Sequence, residues 1–296
     1  MSDYIKQNSS EISFTNSENW VILNPIELSI KKKIEQYGTK LQDWDLSINR
    51  GILTGYNDAF IIDEATKNSL ITADPKSAEL IRPILRGKDI KRYSYNFANL
   101  YLICTFPSKH YNIDDYPAIK KYLLSFDKRR LAQTGEKNID GIKGFNARKK
   151  TGNKWFETQD QINYSDDFYK PKIMYNDINT RLSFCCVEQG IFCNNTVYFL
   201  QPNEADLKYF LAILNSRIIN WYYKTLSVQL GSNAVRMFSI YVKKIPIPQI
   251  NMRERMEISD LVNKELSNKN MDDIIDNKIY QLFHLSDYEI EYINHI

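Results

Sequence analysis

The sequence predicts an α+β protein: a mixed or antiparallel sheet with packed helices, followed by a helical C-terminal appendage. Three observations carry this. Residues 172–200 hold four short apolar runs separated by turn residues at Asn179 and Gln189-Gly190, which is a hairpin pattern. Leu207, Phe210, Leu211, Leu214, Ile218, Trp221 and Tyr222 recur at three- and four-residue spacing, the apolar stripe of one helix over residues 206–226. Beyond Pro248 the period is helical: Ile258, Leu261, Val262 and Leu266 in one stretch, Ile275, Ile279, Leu282 and Phe283 in the next.

Residues 1–18, rich in Ser, Asn and Glu, read as a polar tail or linker; 19–249 form the main domain and 250–296 a helical subdomain. Asn24-Pro25 opens a helix to Tyr37, with Gly38 at its C′ position. Leu46, Ile48 and Ile52 alternate with polar neighbours and residues 59–62 are apolar, so two strands flank a turn at residues 54–58. Asp74-Pro75 starts a short helix carrying Leu80, Ile81, Ile84 and Leu85, bent at Pro83 and ended by Gly87. Residues 100–106 form a buried strand, and 116–131 a helix ending in Asp127-Lys-Arg-Arg130. Residues 133–164 show no sustained period and hold four glycines, which marks a long functional loop. A strand over 241–247 ends at Pro246 and Pro248, and Ser286 with Glu289 forms a capping box for a last helix.

At 296 residues the chain can bury a sizeable core. No apolar run approaches the ~20 residues of a membrane helix, and the start is polar, so a cytoplasmic protein without a membrane partner is expected. Cys104, Cys185, Cys186 and Cys193 form no C-x-x-C and the histidines are scattered, so a zinc site is not expected. The net charge of +3 conceals a division. Residues 120–155 hold eleven Lys/Arg against three Asp/Glu, a net +8; residues 251–296 hold five against ten, a net −5. A basic centre and an acidic tail fit a bound polyanion, or two solvated faces.

Candidate binding chemistry lies in several segments. Gly51 and Gly55 permit close approach of another backbone such as a phosphodiester, and Thr54 and Asn57 offer neutral donors, or else stabilise the turn itself. Arg86, Lys88 and Arg92 follow. Arg129, Arg130, Arg148, Lys149, Lys150 and Lys154 combine charge with glycines and with Trp155 and Phe156. A polar loop around Gln229 carries Asn233 and Arg236, whose side chains match adenine and guanine edges; Arg236 pairing with the acidic C-terminal helices is the alternative. Catalytic signatures are missing: no glycine-rich cofactor loop after a strand, no N-P-P-aromatic motif, no Glu-x-Lys, no P-loop and no H-E-x-x-H. No catalytic or metal-binding residue is assigned.

Five strings in order resemble a known family. They are Gly51-Ile-Leu-Thr-Gly-Tyr-Asn-Asp-Ala-Phe-Ile-Ile-Asp63, Leu85-Arg-Gly-Lys-Asp-Ile-Lys-Arg-Tyr93, Lys172-Ile-Met-Tyr175, Leu214-Asn-Ser216 ahead of Ile245-Pro-Ile-Pro248, and Ile275-Asp-Asn-Lys-Ile-Tyr-Gln-Leu-Phe283. Together they resemble the TaqI-like C-terminal specificity domain of adenine-specific DNA methyltransferases and fused restriction-modification enzymes. The resemblance implies that residues 19–249 recognise a short duplex DNA sequence. A methyltransferase or endonuclease module, in cis or in trans, would do the chemistry with S-adenosylmethionine; this chain alone would be no enzyme, and either an excised fragment or a separate specificity subunit. Two rivals stand: a divergent metal-dependent nuclease with carboxylates assembled only in three dimensions, and an interaction subunit with an exposed stripe of Ile275, Ile279 and Leu282.

Overall fold

Apolar and aromatic side chains on both faces of Lys172–Asn176 and Val197–Gln201 bury these strands, which pair antiparallel with Tyr198 opposite Tyr175 and Leu200 opposite Ile173. The two tyrosine rings stack with centroids 5.5 Å apart. In the computed structural model, which describes residues 23–227, 229–230, 234–267 and 269–296, this pair is the centre of a four-stranded antiparallel sheet. Ser47–Arg50 lies on one side and Phe184–Val187 on the other. A second four-stranded sheet runs in the order Ile61–Asp63, Leu100–Ile103, Ile81–Leu85, Phe192–Cys193. Its last pair is parallel, which makes the sheet mixed.

Both sheets belong to one compact unit, residues 47–177 and 183–204. Its core contains Phe60, Ile84, Leu102, Phe168, Met174, Phe192 and Phe199, with Phe168 stacked on Phe192 at 4.3 Å. Each such side chain contributes roughly 1.5–3 kcal/mol on burial. Lys172 is also fully buried here. Its ammonium, which burial pushes down to about 8, donates to the carbonyls of Phe168 and Lys170 at 2.8 Å and of Glu188 at 3.2 Å.

The other unit holds the described residues up to Leu46, with 178–182 and 205–296. Pro25–Tyr37 is a helix capped by a reciprocal Asn24–Glu27 box. Gly38 is extended rather than left-handed; it begins a strand paired with Pro246–Pro248, and a Cβ there would meet Pro246 Cβ at 2.3 Å. Close strand approach, not helix termination, requires the glycine. The helix Met252–Leu266 packs on Leu207–Asn215, with Arg255 Nη1 donating to Asp206 at 2.8 Å. The expected division at Gln249 therefore falls inside this unit. The helices Asp272–Leu282 and Asp287–His295 follow, the latter with the Ser286–Glu289 box.

Several further elements differ from expectation. Asp74-Pro75 starts only a 3-10 turn over Pro75–Glu79, and Ile81–Leu85 is a strand. Pro83 is tolerated there because pairing with Leu100–Ile103 ends at that residue and pairing with Phe192–Cys193 begins at the next. Residues 116–131 form two helices, Pro117–Leu123 and Lys128–Leu131, because the Asp127 side chain caps the second. Residues 206–226 are likewise split, into Leu207–Asn215 and Arg217–Leu226, at extended Ser216, whose hydroxyl accepts from Ile219 N–H. Residues 241–247 divide between the helix Ser239–Val242 and the strand Pro246–Pro248. The two strands around residues 54–58 exist but do not pair with each other, and Asn57–Phe60 between them is a helical turn. No described helix is long and apolar enough to cross a membrane.

Candidate nucleic-acid interface

The long segment expected at residues 133–164 is irregular, yet it is held from within. Arg148, only 3% exposed, donates from Nε to Leu131 O at 2.8 Å and from Nη1 to Thr54 O at 2.8 Å and Glu157 O at 2.6 Å. Nη2 reaches Trp155 O at 2.7 Å. Its guanidinium lies 5.0 Å from the Phe60 ring centroid, and burial pushes it down to about 10. Gln133 adds a second brace, donating to the carbonyls of Lys154, Glu157 and Thr158 and accepting from Thr151 Oγ1 at 2.6 Å. Arg148 thus corrects a sequence expectation. It is a strut inside the loop, not a surface charge for DNA.

At Thr54 the turn-stabilising alternative is the one the structure supports. Fully buried, its hydroxyl donates to Asn57 Oδ1 at 2.7 Å and accepts from Tyr56 N at 3.1 Å, a side-chain-stabilised turn. Asn57 is exposed at the start of the helical turn. The close neighbours of both glycines belong to the protein itself. A Cβ on Gly51 would lie 2.1 Å from the carbonyl oxygen of Asn194, and one on left-handed Gly55 would lie 2.8 Å from Arg148 Cδ. Both serve the protein's own packing.

What remains on the surface is a set of cations. Lys149, Lys150 and Lys154 are exposed on the braced loop and Lys128 on the adjoining helix; Lys128 sits 5.6 Å from the Trp155 ring centroid and Lys154 5.5 Å from that of Phe156. None has a carboxylate within ion-pair distance among the described residues. Arg129 is different: it is exposed but bound by Asp127 and Asp140, each at 2.7 Å. Arg130 lies over Tyr56 and Phe145. Composition alone missed those two rings, because nothing local brings residues 56 and 145 together.

The Arg86 segment forms a 3-10 turn at Gly87–Asp89. Arg86 is clamped in two-pronged fashion by buried Asp89 at 2.9 and 3.0 Å, Lys88 is exposed, and Arg92 lies 4.5 Å from the Tyr93 ring centroid. All these residues share the two-sheet unit with the Thr54 turn. The third segment belongs to the other unit: Asn233 lies outside the described residues, and Arg236 ends the strand Ala234–Arg236, its guanidinium 5.5 Å from the Phe238 ring centroid. Of the proposed exposed stripe, Ile275 and Ile279 are buried. Among the described residues no three His, Cys, Asp or Glu side chains are grouped to hold a metal ion.

Comparison with known proteins gives consistent relatives. The chain is 21% identical over 284 residues to the type II methyltransferase M.BstVI of Geobacillus stearothermophilus, covering 95% of this chain and 47% of that protein. It is 24% identical over 234 residues to the type II methyltransferase M.XhoI of Xanthomonas vasicola, covering 78% and 39%. The chain therefore spans less than half the length of these relatives. Among solved structures, the type IIL restriction-modification enzyme MmeI in complex with DNA matches with a TM-score of 0.52 at 12% identity, over 85% of this chain and 35% of that one, a likeness of fold. Residues 82–247 match the model of the TaqI-like C-terminal specificity domain, and since this is more than half of the chain, the protein belongs to that family.

Proposed function

We propose that this chain is the DNA target-recognition module of a restriction-modification enzyme. It reads a short duplex sequence and positions a separate adenine methyltransferase module, in cis or in trans, which uses S-adenosylmethionine. The observation that carries this is the exposed set Lys149, Lys150 and Lys154 on a loop fixed by buried Arg148, with Lys128 on the adjoining helix, all without ion-pair partners among the described residues. Unneutralised lysines on a rigid frame suit phosphates, which set register without reading sequence. Lys88 extends the same chemistry, and Asn57, Arg92 and Arg236, with Asn233, are proposed to contribute further DNA contacts. Arg86 and Arg129, already bound by carboxylates, would have to exchange those partners to reach DNA.

The test is the affinity of the full chain for duplex DNA as a function of salt. Each neutralised phosphate contributes roughly −0.9 to the slope of log K against log salt. Charge reversal at Lys149 and Lys150 together should weaken binding to every duplex and flatten the slope by about two. An unchanged slope and affinity would remove this surface from the DNA interface.

A further inference from the structure

Arg129 and Arg130 are neighbours in sequence with opposite environments. Every short contact of the Arg129 guanidinium goes to a carboxylate, Asp127 at 2.7 and 3.2 Å and Asp140 at 2.7 Å. Arg130, half-buried, makes no ion pair, and its guanidinium donates no hydrogen bond to any described residue. It lies instead over the Tyr56 ring, 4.3 Å from the centroid, with the Phe145 ring at 5.7 Å on its surroundings. Aromatic faces hold the cation but leave its in-plane N–H groups unfilled.

Both sides of this contact hang from one strut. Arg148 binds the carbonyl of Leu131, the residue after Arg130, and the carbonyl of Thr54, two residues before Tyr56. Tyr56 is further fixed edge-on against Phe126 at 5.7 Å, and Asp127 caps the short helix that carries Arg130. The side chain is thereby oriented before any ligand arrives. The exposed Lys128 and Lys154 each lie near one ring, Trp155 and Phe156, but a compact ammonium has no planar fork for a ring to orient.

Resting on the DNA-recognition reading, we infer that Arg130 is a sequence-reading residue, its guanidinium donating two hydrogen bonds to the O6 and N7 edge of a guanine in the major groove. A fixed, planar fork with unfilled donors matches that edge, whereas a compact ammonium does not. Tyr56 and Phe145 act as positioning residues.

The experiment is selection of preferred sites from a random duplex library with the full chain, repeated with Arg130→Ala and Arg130→Lys, followed by affinities on the preferred and a random duplex. Circular dichroism checks the fold of each variant. Arg130→Ala should lose about ten- to a hundredfold on the preferred duplex, change random-duplex affinity by less than roughly threefold, and relax the preference at one G·C position or its symmetric pair. Arg130→Lys should behave the same although it keeps the charge. Wild-type preference in the lysine variant, or an equal loss on both duplexes with a salt slope flattened by about one, would make Arg130 a phosphate contact and overturn the inference alone. If the wild-type chain shows no DNA binding or no sequence preference, the DNA-recognition reading itself fails, and the inference with it.

Discussion

Arg148 Nη1 donates to the carbonyl oxygen of Thr54 at 2.8 Å across a separation of 94 residues. That bond joins two segments that each look like an independent basic or polar surface in the sequence, and it makes the loop part of the fold. Surface loops that carry function are most useful when a rigid scaffold holds them. Here the scaffold extends into the loop.

Replacing Arg148 with Met should leave the carbonyls of Thr54, Leu131 and Trp155 without a donor, while Gln133 still reaches that of Glu157. Unsatisfied buried polar groups cost about 1–3 kcal/mol each, and because the loop can relax, a total loss of at least about 2 kcal/mol is expected. Urea unfolding reads the total. Hydrogen exchange should show lost protection at the amides of Gly135, which donates to Arg148 O, and Thr158, which donates to Thr105 O. Lys149→Met next door should stay within about 0.5 kcal/mol of wild type, as exposed substitutions do. Equal stability of the two variants would contradict the strut.

Two glycines separate packing from mere flexibility. At Gly51 an added Cβ would lie 2.1 Å from a backbone oxygen, which no rotamer change relieves, so Gly51→Ala should cost more than about 1–3 kcal/mol. At Gly152 nothing lies within 4 Å of an added Cβ and φ is not left-handed. Gly152→Ala should be neutral or stabilising by up to about 1 kcal/mol, through a less flexible unfolded chain. Thermal unfolding of both variants distinguishes them, and a tolerated Gly51→Ala would disprove the close approach.

Glu289 should make stability acid-sensitive. Burial by itself would raise its carboxyl, but the Lys33 ammonium at 2.6 Å, the Ser286 N–H at 2.7 Å and the Ser29 hydroxyl at 2.7 Å hold it down at about 2. A carboxyl lowered in the folded state stabilises above its unfolded value, which is 4.5 here, and that contribution is lost as pH falls toward about 2. Wild type should lose stability between those limits more steeply than Glu289→Gln, which should already be weaker at neutral pH. Parallel pH profiles for the two proteins would show that the carboxylate is not linked to folding.

Alone, the chain is expected to transfer no methyl group and to cut no DNA, since the cofactor loop, the N-P-P-aromatic motif and Glu-x-Lys are missing from its sequence. Incubation with labelled S-adenosylmethionine and duplex, and separately with magnesium and plasmid, measures both. Labelling or cleavage that survives stringent purification would overturn the non-catalytic reading.

Amphipathic stripes, caps and strand runs were legible in this sequence because they depend on neighbours within a few residues. The helix start at Asn24-Pro25, the Ser286–Glu289 box and the helices after Pro248 all follow from such local terms. The family strings were legible for the same reason. Tertiary structure decided what composition leaves open. Whether an arginine is a surface cation or a buried strut depends on which carbonyls surround it, and for Arg148 these come from residues 54, 131, 155 and 157. Whether an apolar period continues through a residue depends on competing partners. Ser216 breaks a continuous stripe because its side chain caps a new helix whose first N–H, on Arg217, donates to Asp276 at 2.9 Å. The Arg130–Tyr56 contact is of this kind too. Its partners are 74 residues apart by number, and only the folded chain brings a ring to a guanidinium that its own neighbours would have left to solvent.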